Sequence, residues 1–113
     1  MIPWSPLARG LITRDHDAAT ARRETDEFGK TLYRTANMEI VEQVAHIAAE
    51  RGVSRAAVGL AWVRKHDAVS APIVGATKMQ HLDDAIASLD VSLTAEEIQM
   101  LEEPYTPQPI YGF

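Results

Sequence analysis

The stretch Val69-Ser70-Ala71-Pro72-Ile73-Val74-Gly75-Ala76-Thr77-Lys78 decides the fold class. Residues 69–75 read as a short strand, with Pro72 near its start, where a missing N–H is tolerated. A helix is expected directly after it, from about Lys78 to Leu89, with Thr77 as its N-cap and Gln80 at the capping-box position. Leu82, Ala85, Ile86 and Leu89 then form its buried stripe. A strand that feeds a helix in this way is the building unit of a parallel sheet.

Upstream, Ser54 is positioned to cap a helix running to about Lys65. Its residues Ala57, Val58, Leu60, Ala61, Trp62 and Val63 leave almost no polar face, so it must be covered on most sides. Before it, Ile40, Val44, Ile47 and Ala48 form one apolar stripe on a helix from about Asn37 to Arg51, ended by Gly52. Residues 13–35 are polar and charged with little periodicity and read as a long loop, a length that usually carries function. Ile2 to Trp4 read as the end of a strand stopped by Ser5-Pro6, and residues 7–10 as a loop.

Downstream, Thr94 with Glu97 makes a capping box for a short helix through Leu101, with Ala95, Ile98 and Leu101 on its apolar positions. Pro104, Pro107 and Pro109 impose an extended tail. The order is strand, loop, helix, helix, strand, helix, helix, tail. That is an α/β order, but an incomplete one, because two strands do not make a stable sheet alone.

The chain has 113 residues, enough for one domain and too few for a closed (β/α)8 barrel, which needs about 200 at minimum. Eleven Lys and Arg against sixteen Asp and Glu give a net charge of −5, a balance opposed to broad binding of nucleic acid or anionic membranes. There is no cysteine, which excludes disulfides, thiol catalysis and thiolate metal sites. No apolar run reaches the length of a membrane span, and the N-terminus lacks a basic region followed by an apolar stretch, so a cytoplasmic protein is expected.

Two segments have the parts of an anion site. In Trp4-Ser5-Pro6-Leu7-Ala8-Arg9-Gly10, Ser5 offers a hydroxyl, the amides of Leu7 to Gly10 can turn inward, and Gly10 permits close approach of a phosphate. Trp4 could stack on a flat ring; the alternative is a buried tryptophan before a Ser-Pro turn. In Gly75-Ala76-Thr77-Lys78, free amides and the positive end of the following helix favour a bound phosphate, and Thr77 and Lys78 could each add a donor. The alternative there is plain capping by Thr77 and a solvated Lys78.

Other constellations carry less. His16, His46, His66 and His81 are scattered, and no pair has metal-ligand spacing, so no metal site is expected. No Ser-His-Asp arrangement can be assigned from spacing. Glu96, Glu97, Glu102 and Glu103 read as the solvated face and end of a short helix. Residues 44–61 also have the outline of a helix-turn-helix, with Gly52 in the turn, Val58 as the buried contact, and Arg55, Arg64 and Lys65 available to phosphates. Against that, its second helix offers apolar residues where base-reading polar side chains belong.

Taken together, Ile2-Pro3-Trp4-Ser5-Pro6-Leu7-Ala8-Arg9-Gly10, Pro72-Ile73-Val74-Gly75-Ala76-Thr77-Lys78, His81-Leu82-Asp83-Asp84-Ala85, Ala61-Trp62-Val63 and the tail Glu103-Pro104-Tyr105-Thr106-Pro107 resemble the C-terminal part of an aldo-keto reductase. The resemblance runs from residue 2 to the end. The tail and residues 23–26 are most similar to bacterial members related to potassium-channel β subunits. The resemblance implies the C-terminal portion of a (β/α)8 TIM barrel: Ile2 to Trp4 as the end of strand seven and Ser70 to Val74 as strand eight, with their helices. It implies carbonyl reduction with NADP(H).

Further, it implies Trp4 against the nicotinamide, Ser5, Pro6, Leu7 and Gly10 along the pyrophosphate, and Arg22 or Arg23 closing over the cofactor. Gly75, Thr77 and Lys78 would hold the adenosine end and its 2′-phosphate, with His81 and Asp84 at the adenine ribose and base. His81 stands where the family usually has glutamine, and Ala85 where asparagine is common. The family's catalytic Asp, Tyr, Lys and His lie on earlier strands, and Tyr33, Tyr105 and Tyr111 are not in the catalytic context. The expectation is therefore a shortened reading frame or an engineered piece, inactive alone, that takes a small-molecule carbonyl substrate only with the rest of the barrel. The alternatives are a self-associating or nucleotide-binding module without catalysis, and the helix-turn-helix reader.

Overall fold

A computed structural model describes residues 1–14 and 37–107. Most of the expected loop over 13–35, with Arg22 and Arg23, lies outside those residues, as does the tail beyond Pro107.

Four α-helices form the described body: α1 (Met38–Arg51), α2 (Arg55–Arg64), α3 (Met79–Ala87) and α4 (Ala95–Glu102). Short polar residues set their starts. Asn37 caps α1 by accepting from the Glu39 N–H, and Ser54 caps α2 by accepting from the Ala57 N–H. Thr94 and Glu97 close a full capping box on α4, as their spacing predicts. Gly52 ends α1 in the left-handed region, at φ 65°. Its N–H bonds to the Ala49 carbonyl and the Val53 N–H to that of Ala48, which satisfies two carbonyls the helix would otherwise leave open.

The three residues 52–54 fold α2 back onto α1. The core lies between them and α4: Val44, Ile47, Ala48, Val58 and Leu101, with Val53, Trp62 and Leu93 packed against it. Ile47 and Leu60 are almost fully buried, each contributing about 1.5–3 kcal/mol. The Arg51 guanidinium crosses to α4, with Nε 2.6 Å from Glu97 Oε1 and Nη2 2.7 Å from Oε2, and also donates to the Ser92 carbonyl. Arg64 donates to the carbonyl of Ser88, a buried residue in the 3-10 turn Ser88–Asp90 that continues α3.

Several expectations are corrected. Neither strand extends: residues 1–4 and 70–73 meet in one isolated parallel bridge, Trp4 to Ile73. The Ser70 N–H donates to Met1 O and the Ile73 N–H to Pro3 O, both at 2.8 Å. Pro3 and Pro72 have no N–H to extend the ladder, and among the described residues no third strand flanks the pair. The described residues are mostly helical, and no helix among them is long and apolar enough to cross a membrane. Ala8–Thr13 is a 3-10 helix with a kink at Arg9 and Gly10, rather than loop.

On α3 the N-cap residue is Lys78, with no side-chain cap, in place of Thr77; Gln80 bonds to Asp84 one turn on instead of reaching back. The expected buried stripe of α3 is exposed, with Leu82 at 45 %, Ile86 at 56 % and Leu89 at 61 %. Periodicity identified the apolar face, but among the described residues it is only partly covered, with Ala85 half-buried. In α2 every residue from Ala56 to Ala61 is buried, so this helix is an interior element and not a DNA-reading one.

Candidate functional site

A parallel pairing places the segments that follow both partners at the same edge. After Trp4 comes the turn leading into Ala8–Thr13; after Ile73 comes Val74-Gly75 and then α3. Between them lies a cleft of about 530 Å³, within the range of small-molecule sites. Trp4, Ser5, Pro6, Leu7 and Gly10 line it from one side, and Gly75, His81 and Asp84 from the other. Of the remaining sequence-predicted site residues, Thr77 and Lys78 stand just outside the lining, and Arg22 is outside the described residues.

The turn is held in an unusual conformation. Ser5, Ala8 and Arg9 have φ of 53°, 49° and 54°, and Gly10 of 95°. A left-handed non-glycine residue costs on the order of 1–3 kcal/mol, and such residues cluster at ligand sites. One expected feature is corrected. The amides of Ala8 and Gly10 are spent within the turn, donating to Ser5 O at 3.0 Å and Leu7 O at 2.9 Å, so the cradle is not a run of four inward amides.

The charge comes instead from Arg9 and Arg14, both on the cleft wall and neither predicted as a site residue. Arg9 lies inside the quoted motif and Arg14 one helical turn past Gly10, so a search for cations around the glycine would have found both. At Gly10, whose φ of 95° favours glycine, a β-carbon would sit 3.1 Å from Arg14 Nη1 and would push the guanidinium slightly aside. At Gly75 a β-carbon would meet nothing within 4 Å, so that approach is open.

Trp4 is 59 % exposed at this cleft, which corrects the buried-tryptophan alternative and leaves its ring available to a flat partner. Just before α3, the backbone N and the hydroxyl oxygen of Thr77 both lie 3.4 Å from His81 Nδ1, and on α3 Gln80 Nε2 donates to Asp84 at 3.0 Å. The perturbed carboxylates lie elsewhere. A hydrogen bond from Arg51 holds Glu97 below its ordinary pKa, and one from Lys65 does the same for Glu102.

Pro6 also borders a second, more apolar space of about 640 Å³, beside Ile12, Gly59, Trp62 and Tyr105. Its carboxylate, Glu102, is already bound to Trp62 Nε1 and Lys65. The first cleft is the better candidate, because two backbone turns, two cations, an imidazole and an exposed indole converge there. Among the described residues no group of three or more His, Asp or Glu could hold a metal ion.

Residues 1–105 match the sequence profile of the Aldo/keto reductase family. A Schizosaccharomyces pombe protein provisionally named an aryl-alcohol dehydrogenase is 45 % identical over 116 aligned positions, covering 99 % of this chain and 35 % of its own length. The versiconal hemiacetal acetate reductase of Aspergillus parasiticus is 40 % identical, covering 98 % of this chain and 34 % of its own. The chain spans about a third of the length of the curated relatives it matches.

Proposed function

The chain belongs to the Aldo/keto reductase family, and we propose that it forms the cofactor-binding, C-terminal portion of an NADP(H)-dependent carbonyl reductase. In this reading the Trp4–Ile73 bridge joins the last two strands of a (β/α)8 barrel, and the cleft lies at their carboxyl ends, where such barrels hold phosphate. The single observation that carries it is the convergence of Trp4, the strained Ser5–Gly10 turn, Arg9 and Arg14 with Gly75, His81 and Asp84 in one cleft. The names of the two relatives, a dehydrogenase of aryl alcohols and a hemiacetal acetate reductase, support interconversion of carbonyls and alcohols.

The residues present suit a nicotinamide dinucleotide. Trp4 presents a face to the nicotinamide, and Ser5, Pro6, Leu7 and Gly10, with Arg9 and Arg14, lie along the pyrophosphate. Gly75, Thr77 and Lys78 attend the adenosine end and His81 and Asp84 the ribose and base, and the family resemblance gives Arg22 or Arg23 the part of closing over the cofactor. When bound, the cofactor supplies hydride. Reduction of a carbonyl also needs a positioned proton donor, and no tyrosine or lysine lines this cleft among the described residues. The chain alone therefore binds cofactor without turnover, and a carbonyl substrate is engaged only with the rest of the barrel, in the cytoplasm.

Titrating NADPH against the intrinsic fluorescence, with NADH as comparison, tests the reading. Saturable quenching that disappears in Trp4→Phe supports it, and no quenching at millimolar NADPH removes it. A second reading, a self-associating module, is favoured by the exposed Leu82 and Ile86 on α3 and Leu89 in the 3-10 turn after it, exposed apolar side chains of the kind that mark interaction surfaces.

A further inference from the structure

Resting on the reading that the cleft takes a pyridine nucleotide, we propose that Gly59, buried in α2 and outside the cleft, is a positioning residue for the turn that meets the nucleotide. By carrying no side chain it seats Ile12 and Leu7, and that seat fixes where the strained Ser5–Gly10 backbone stands. Glycine in a helix interior is destabilising relative to alanine, and α2 carries alanine at positions 56, 57 and 61. Position 59 differs in what lies over it. A β-carbon there would stand 2.5 Å from Ile12 Cδ1 and 3.2 Å from Leu7 Cδ2. The first distance is well inside carbon–carbon contact, so the side chain of Ile12 and the segment that carries it must give way.

The turn needs such a seat. Ser5, Ala8 and Arg9 hold positive φ, and non-glycine residues persist there only where their surroundings over-determine them. Bonds inside the turn run from the Ala8 N–H to Ser5 O, from the Gly10 N–H to Leu7 O and from the Thr13 hydroxyl to Gly10 O. Each joins residues three apart, so these bonds shape the turn without fixing its place. Before the turn, the Trp4–Ile73 bridge ties the chain down. After it, Ile12 meets α2. Ser5, Arg9 and Gly10 line the cleft, while Ala8, Ile12 and Gly59 border the second space, where α1 adds Ile40 and Val44. The turn is thus a partition between two spaces, presented to the cleft on one side and held by α2 on the other.

The test moves one carbon atom. Gly59→Ala adds a β-carbon beside Ile12 Cδ1, and Ile12→Val removes that same Cδ1. The NADPH affinity of the whole chain, read by intrinsic fluorescence, falls about fivefold in Gly59→Ala and returns to within about twofold of the wild type in the double variant. Thr94→Ala loosens the cap of α4, lowers the thermal midpoint and leaves the affinity unchanged, so lost stability alone does not mimic the effect. Without ligand, the Cα and Cβ chemical shifts of Ala8 and Arg9, which report left-handed backbone, move in Gly59→Ala and recover in the double variant. If Gly59→Ala does not fold, Ile12→Ala, which empties the seat without a clash, must itself weaken NADPH binding. Unchanged affinity in the folded variant, a loss that Ile12→Val does not restore, or an equal loss in Thr94→Ala overturns this inference alone. Absence of NADPH binding by the wild type overturns the cofactor reading and this inference with it.

Discussion

Trp4 and Ile73 are bridged in parallel, and that one pairing puts the strained turn after Trp4 and the open turn after Ile73 at the same edge of the molecule. Had the segments paired antiparallel, the two turns would lie at opposite ends and no cleft would join them. The cleft is thus a consequence of chain direction as much as of side-chain chemistry.

The first prediction concerns the wall behind the turn. A β-carbon on Gly59 would lie 2.5 Å from Ile12 Cδ1 and 3.2 Å from Leu7 Cδ2, so the glycine in α2 is what lets the Ala8–Thr13 segment dock. Gly59→Val should cost about 1–3 kcal/mol through overpacking, measured by urea unfolding. In an Ile12→Ala background the same change should cost less, because the two sites share one contact.

A second prediction follows from α1 and α4. The hydrogen bond from Arg51 holds Glu97 below its ordinary pKa. A lowered carboxylate pKa contributes stability that is complete above the unfolded-state value and is lost as pH falls through the folded one. The wild type should therefore be more stable than Glu97→Gln at pH 7, and the difference should shrink on acidification below the ordinary carboxylate range. Urea midpoints at pH 7, 5, 4 and 3 check it; a constant difference would contradict the ion pair's role.

Third, the caps. Ser54→Ala and Thr94→Ala should each lower stability by about 1 kcal/mol, readable as a lower thermal midpoint. Thr77→Ala should cost much less, since Thr77 caps nothing.

These caps also mark what was legible in the sequence. Ser54, Thr94 with Glu97, and Gly52 act within one turn of their own positions, so their spacing was sufficient. The stripe Val44, Ile47 and Ala48 was legible for the same reason. The strands were not, because pairing is non-local: alternation could not reveal that Pro3 and Pro72 would confine the pair to one bridge. Along α3 and the turn after it, periodicity identified Leu82, Ile86 and Leu89 but not how far they are covered. Trp4, Ser5, Gly10, Gly75, His81 and Asp84 stand in two sequence motifs that the structure brings to one cleft, where Arg9 and Arg14 also lie; spacing alone does not show that two amides of the first motif are consumed inside the turn.

A fourth prediction uses that exposed face. Leu82→Glu with Ile86→Glu places two carboxylates among the apolar side chains of α3. If the face mediates self-association, sedimentation coefficients that rise with concentration in the wild type should become independent of it in the double variant. A monomeric wild type at all concentrations would contradict the proposal.

The central claim is that one particular cleft holds the nucleotide, and amide chemical-shift mapping on addition of NADPH tests it most directly. Shifts are expected at Trp4 to Gly10, at Thr13 and Arg14, and from Gly75 to Asp84, with Val44, Ile47 and Leu101 unmoved. Shifts centred instead on Ile12, Trp62, His66 and Tyr105 around the second cavity, or none at saturating NADPH, would contradict it.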